Sequence, residues 1–406
     1  MYKDDTIYAS ATGLGRSAIG IIRVSGPDAV SICDKIFKGK KRISDMNTYT
    51  ATYGKIVDNT DIIDEAIVLL MKAPHSYTTE DVVEINVHGG PYVVKRVMSL
   101  LEAKGIRLAD PGEFTKRAYL GGRIDMTEAE AVMDVISSET DKALRASVSQ
   151  LSGKLREEIV SIRERLLYYT AYIESALDDP ENYDLEGYSD ELKRDVEKLT
   201  DRIDRLLSTA DEGRIVREGI STAIIGRPNV GKSSILNLLL GEERAIVTDI
   251  EGTTRDTLEE YANLGGALLK LVDTAGIRET DDAVERIGVE RAKDSIDSAD
   301  LILLILDGSE NLRDEDRSIL RSLEDKKYII LVNKSDKLQV LDREELENLS
   351  MGQAVIEISA NTGDGLTDLR EKLQEMFFTS SLDYNDQIII TRSRHRNALV
   401  RAKDSL

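Results

Sequence analysis

At 406 residues, with 41% hydrophobic side chains, the chain exceeds the usual size of one domain and can bury more than one core. Its net charge of −21 argues against binding nucleic acid by bulk charge, although residues 1–120 hold 16 Lys and Arg against 15 Asp and Glu, so the acidity lies in the remainder. The single cysteine, Cys33, excludes a disulfide framework or cysteine-based metal site and reads as an apolar core residue. With scattered histidines, no signal peptide and no apolar run of membrane-spanning length, the sequence predicts a cytoplasmic protein.

Along residues 1–120, strand-like runs at 19–24, 49–57, 66–71 and 82–87 and a helix at 92–103 predict an α+β domain. The basic cluster Lys38, Lys40, Lys41 and Arg42 reads as a solvated loop. From 126 to 177 the pattern turns helical: Val148, Leu151, Leu155, Ile159, Ile162, Leu166, Tyr169 and Ile173 recur at steps of three and four. An acidic break with Pro180 and Gly187 follows. Leu192, Val196, Leu199, Ile203 and Leu206 then resume the period, predicting an antiparallel partner helix. Residues 216–378 alternate strands and helices as a doubly wound sheet requires. The last segment, 379–406, is too short for a domain and is expected to rejoin the helical block at 121–215. The expected fold class is multidomain, α+β and α/β: an N-terminal α+β domain, a central helical bundle and an inserted Ras-like P-loop domain.

Residues 226–233 read GRPNVGKS, a complete phosphate-loop motif after the apolar strand residues Ile220, Ala223, Ile224 and Ile225. Such a loop wraps phosphates with the backbone N–H groups around Asn229, Val230, Gly231 and Ser234. It brings Lys232 to the β and γ phosphates and offers the Ser233 hydroxyl to Mg²⁺. Downstream, Asp273, Thr274, Ala275 and Gly276 end a second apolar strand, where a Mg²⁺-side carboxylate and a γ-phosphate-sensing glycine belong. Asn333, Lys334, Ser335 and Asp336 close another strand, and Ser359, Ala360 and Asn361 a further one. Asp336 selects guanine over adenine, because a carboxylate accepts from both N1–H and the 2-amino group of guanine. Asn333 and the backbone at Ala360 can address O6 and N7, and the Lys334 stem can cover the ring.

Residues 245–256, AIVTDIEGTTRD, read as a switch segment ordered by the γ-phosphate, with Thr254 or Thr253 supplying a second hydroxyl to Mg²⁺. The residue after DTAG, where Ras-like enzymes carry a water-orienting glutamine, is Ile277. Arg278, Glu279 and Glu285 are nearby candidates for that role. A carboxylate suits it best because it can accept a hydrogen bond from water, and spacing does not choose between the two glutamates.

Together with ATGLGRSAIGIIRVSG, EINVHGGP and PGEFTKRAYLGGRIDMTEAEAV outside the nucleotide domain, these motifs resemble the MnmE (TrmE) family of tRNA uridine modification GTPases over nearly the whole chain. The resemblance implies that Asn229, Thr248, Ile250 and Thr253 hold a K⁺ ion in place of an arginine finger, and that Ser233 and Thr254 bind Mg²⁺. It implies that Glu285 orients water, that Asp249, Glu251 and Gly252 belong to the nucleotide site, and that a folate such as 5-formyl-tetrahydrofolate is bound by Arg23, Glu80 and Arg123. It further implies a homodimer and a flavoprotein partner, MnmG, which carries the FAD. Arg123 stands where the family often has lysine. The sequence also stops at Leu406 without the family's further helical stretch and its cysteine and terminal lysine, so a truncated form is expected. The implied function is K⁺-dependent GTP hydrolysis in wobble-uridine modification of tRNA. The alternative is an RNA-binding, ribosome-assembly GTPase switch with no group transfer, which needs no folate pocket.

Overall fold

The structure, a computed structural model, describes residues 5–13, 15–183, 187–242, 260–272, 297, 299–323, 326–378 and 387–406. It divides into two compact units, Met1–Val132 and Met133–Leu406. The switch segment, the DTAG motif at 273–276, Ile277, Arg278, Glu279 and Glu285 lie outside the described residues.

In the first unit, strands β1 (Ile7–Ser10), β2 (Ile19–Ser25), β3 (Phe37–Gly39), β4 (Thr50–Asp58), β5 (Asp61–Met71), β6 (Val82–His88) and β7 (Arg107–Leu108) form one sheet. Its order is β3-β4-β5-β6-β2-β1-β7, antiparallel except for the β1–β7 pair. Alternate residues point to the core, among them Ile22 and Val24, Val68 and Leu70, and Val83, Ile85 and Val87. Helices α1 (Ala29–Ile36) and α2 (Pro91–Ala103) add Ile32, Ile36, Val97 and Leu101 to the same core. That alternation marks an antiparallel sheet with one face packed. Cys33 is fully buried there, and burial pushes its thiol pKa up, so it sits as an apolar residue and not as a nucleophile. A short helix, α3 (Glu113–Leu120), follows β7.

Helix α4 (Met126–Ile136) is followed by α5 (Asp141–Leu151), capped by the Thr140 hydroxyl, which accepts from Ala143 N–H. Next come the long helices α6 (Lys154–Asp178) and α7 (Tyr188–Ser208), then α8 (Ala210–Glu218). Arg165 pairs with Asp195, and Arg202 with Glu158, so residue numbers rise on one long helix as they fall on the other. This is the antiparallel hairpin predicted from the periodicity. The run at 148–173 is not one helix, however. Gly153, at φ +83°, caps α6 and separates it from α5, leaving Val148 and Leu151 exposed while Leu155, Ile162 and Tyr169 are buried.

Strands β8 (Ile220–Ile225), β9 (Glu260–Leu264), β10 (Ala267–Val272), β11 (Leu301–Asp307), β12 (Tyr328–Asn333) and β13 (Val355–Glu357) make a six-stranded sheet, order β13-β12-β11-β8-β10-β9. All neighbours are parallel except the β9–β10 pair. Every residue of β11 and β12 is buried, as expected of central parallel strands covered on both faces. Helices α9 (Lys232–Glu242), α10 (Asp314–Ser322), α11 (Arg343–Ser350) and α12 (Leu366–Phe377) connect or flank the strands. The final helix, α13 (Ser393–Asp404), packs back on the hairpin: Ile390 and Leu399 share a core with Leu155, Ile162, Leu199, Ile203 and Leu206.

Candidate guanine-nucleotide site and a second site in the N-terminal unit

The phosphate loop leaves β8 and enters α9 at Lys232. Two glycines make its path possible. Gly226 has φ +148°, and a Cβ there would stand 2.5 Å from the Ile305 carbonyl of β11; at Gly231, φ +100°, a Cβ would stand 2.2 Å from Asn333 Nδ2. Between them Asn229 also adopts a left-handed conformation, φ +65°, and Val230 is fully buried. The Lys232 ammonium donates to the Gly226 and Arg227 carbonyls at 2.7 and 2.9 Å, so it lies folded over the loop, and burial lowers its pKa. Ser233 and Ser234 are exposed on the first turn of α9. The loop's position at the N-terminus of α9 fits phosphate oxygens, and the exposed Ser233 hydroxyl at the helix start is a hard oxygen donor suited to Mg²⁺. Asn229, exposed beside it, offers the kind of amide oxygen that suits K⁺. Among the described residues no group of three or more His, Cys, Asp or Glu could hold a metal.

The base-reading motif is joined directly to this loop. Asn333 Nδ2 donates to the Val230 carbonyl at 2.9 Å, while its Oδ1 accepts from Ala360 N–H at 3.2 Å. Its buried amide thus ties the phosphate loop, the end of β12 and the segment after β13 into one site. Lys334, at φ +67°, reaches along the same edge, its ammonium donating to the Asn229 carbonyl and to Asp307. Burial raises the Asp307 pKa, but Lys334 and Ser309 outweigh it and the net shift is down. Asp336 is exposed and oriented: Ser359 Oγ donates to Oδ1 at 2.9 Å and Asn361 Nδ2 to Oδ2 at 3.4 Å. The Ser359 bond chiefly lowers its pKa, keeping it an acceptor-only carboxylate. Ser335 N–H donates to the Ile358 carbonyl, which anchors the turn.

Sequence reasoning did not single out Arg227, inside the loop motif itself. Its nearly buried guanidinium donates to Asp316 Oδ2 at 3.2 Å and Glu310 Oε2 at 2.7 Å, pinning the loop to the start of α10. The partners lie 83 and 89 residues away, so no local pattern announces them.

In the first unit, Arg23 and Arg123 meet around one ring. Each guanidinium carbon lies 4.8 Å from the Tyr77 centroid, and Arg123 Nη1 donates to the Tyr77 carbonyl at 2.8 Å. Arg23 faces Glu84 in the β2–β6 register and pairs with it at 2.8 Å. Glu80 is held by Ser25 Oγ at 2.7 Å and by Arg117 Nη1 at 3.1 Å. Arg117, unmarked by the sequence reading, is nearly buried and also bonds Asp5 and Glu113 at 2.7 and 3.0 Å. Two guanidiniums near one surface fit the carboxylates of a folate tail, and a fixed carboxylate fits a donor edge of a pterin.

Residues 6–123 match the family model described as GTP-binding protein TrmE N-terminus, and residues 126–406 match that of the MnmE helical domain. The tRNA modification GTPase MnmE of Lachnoclostridium phytofermentans is 50% identical over 407 residues, covering 100% of this chain and 89% of that protein. The same-named protein of Clostridioides difficile is 48% identical over 414 residues, with the same coverage. A solved structure of a point variant of Aquifex aeolicus Era, bound to GDP and AlF4⁻, is 30% identical, covers 45% of this chain and 65% of that one, and gives a TM-score of 0.31. The chain belongs to the MnmE (TrmE) family of tRNA modification GTPases.

Proposed function

We propose that this chain is a K⁺-dependent GTP hydrolase of the cytoplasm that acts, as a homodimer with the flavoprotein MnmG, to install an aminomethyl-type group on the wobble uridine of certain tRNAs. The observation that carries the nucleotide half is the Asn333 amide, which joins the phosphate loop to the segment presenting Asp336. In this reading Asp336 accepts from guanine N1–H and its 2-amino group, Lys334 covers the ring, and the loop N–H groups and Lys232 hold the phosphates. Ser233, with Thr254, would hold Mg²⁺, and Asn229, with Thr248, Ile250 and Thr253, would hold K⁺. When bound, the two ions supply positive charge against that developing on the phosphate oxygens. Glu285 orients the water. The nucleotide domain, 216–378, is read as an insertion in a helical domain of residues 121–215 and 379–406, which places switch movement next to the helices.

For the first unit, with its domain taken as residues 1–120, the reading is a folate one-carbon donor held by Arg23, Glu80 and Arg123. Support comes from the convergence of the two arginines on Tyr77 and from the fixing of Glu80 by Arg117 and Ser25. Titration of the full chain with 5-formyl-tetrahydrofolate tests it. Saturable binding that Glu80→Gln weakens supports the folate role, and absence of binding removes it.

A further inference from the structure

The chain is acidic overall, yet its last helix is basic. From its cap at Arg392 to Asp404, α13 carries Arg392, Arg394, Arg396, Arg401 and Lys403 against the single carboxylate Asp404. His395 and Leu399 anchor the helix, whereas Arg394, Arg396 and Arg401 are exposed. At 3.6 residues per turn, Arg394 and Arg401 share one flank and Arg396 and Lys403 the other.

Beside this helix a cavity of about 200 Å³ opens against α8, lined by Ala210, Asp211, Arg214, Arg392, Ser393 and Arg396. Three arginines and one aspartate thus contribute to its wall. Two of them are already held: Arg214 Nη2 donates to Asp300 Oδ1 at 2.7 Å, and Arg392 Nη2 to Asp134 Oδ1 at 2.8 Å. Asp134 and Asp300 line a second cavity, which Arg214 also lines, with Glu139, Arg217 and Glu218. Fixed guanidiniums lose less freedom when an oxyanion arrives, and their planar forks match phosphate oxygens.

We propose that α13 and the cavity beside it form a contact surface for the phosphate backbone of the tRNA. The identity of the RNA rests on the tRNA-modification reading; the choice of surface rests on the charge and geometry just described. The excess acid of this chain lies beyond residue 120, so within that acidic part a basic helix both attracts the RNA backbone and sets its orientation. Backbone contacts of this kind position the RNA without reading its sequence.

The test is binding of a tRNA transcript to the full chain, followed by fluorescence anisotropy across a KCl series, for the wild type, Arg396→Gln, Arg401→Gln and the double variant. GTP turnover without RNA reports whether each variant is intact, since neither residue belongs to the nucleotide site. Each substitution is expected to weaken binding roughly three- to tenfold and to reduce the salt slope by about 1, with turnover unchanged. Affinity and slope that stay unchanged in the double variant overturn the proposal. So does weakened capture of the protein partner at unchanged tRNA affinity, which would assign the helix to an acidic protein surface. A wild-type chain that binds no tRNA removes the tRNA reading itself, and this surface with it.

Discussion

Replacing Asp336 by Asn keeps the side-chain shape and reverses part of its hydrogen-bond pattern. Ser359 Oγ donates to Oδ1 at 2.9 Å, so the amide oxygen of the variant takes that side and its NH2 group takes the place of Oδ2. One of guanine's two donors then meets a donor while the amide oxygen still accepts from the other, whereas xanthine, with an oxygen in place of the 2-amino group, can pair that oxygen with the new NH2 group. One hydrogen bond to an ionised acceptor is lost and the other is weakened by the loss of charge, each roughly tenfold in affinity, so GTP binding should weaken about a hundredfold while xanthosine triphosphate gains. Competition of GTP, xanthosine triphosphate and ATP against a fluorescent nucleotide measures the change. The thermal midpoint should hold, because Asp336 is exposed. A variant that still prefers GTP over xanthosine triphosphate would refute the assignment of Asp336 as base reader.

Glu285→Ala should leave nucleotide affinity intact and slow single-turnover hydrolysis; an unchanged rate would point to Glu279 instead. Arg227→Met strands Asp316 in a buried position, which should cost about 3 kcal/mol of stability in denaturant unfolding and weaken GTP binding by loosening the loop. An unchanged unfolding midpoint would remove Arg227 from the loop's support. In the first unit, the hydrogen bond from Arg107 chiefly holds the Glu113 pKa down from 4.5 to about 2. A depressed carboxylate stabilises the fold above its unfolded pKa, so this contribution is present above about pH 4.5 and is lost as the pH falls through about 2. Thermal midpoints taken across that window should therefore fall with pH, and fall less steeply in Arg107→Met.

The phosphate loop was legible because its chemistry is local: eight consecutive residues carry both the backbone freedom and the lysine. The hairpin of α6 and α7 was legible from period alone. The break between α5 and α6 was not, because the steps of three and four run across Ser152 and Gly153 without a gap, and only the positive φ of Gly153 ends the register. Arg117 and Arg227 escaped notice for another reason. Each is an ordinary arginine in sequence and gains its role from carboxylates brought near by tertiary structure, Asp5 and Glu80 in one case and Glu310 and Asp316 in the other. The resemblance named Arg23 and Arg123, but not the Tyr77 ring on which they converge.

In the proposed function Asn229, within the phosphate loop, helps hold a cation that promotes GTP hydrolysis. Turnover of GTP by the full chain in KCl and in NaCl, at equal ionic strength and with Mg²⁺ present, measures it. The predicted result is a sharp fall in turnover in Na⁺ with nucleotide affinity little changed; equal rates in the two salts would contradict it.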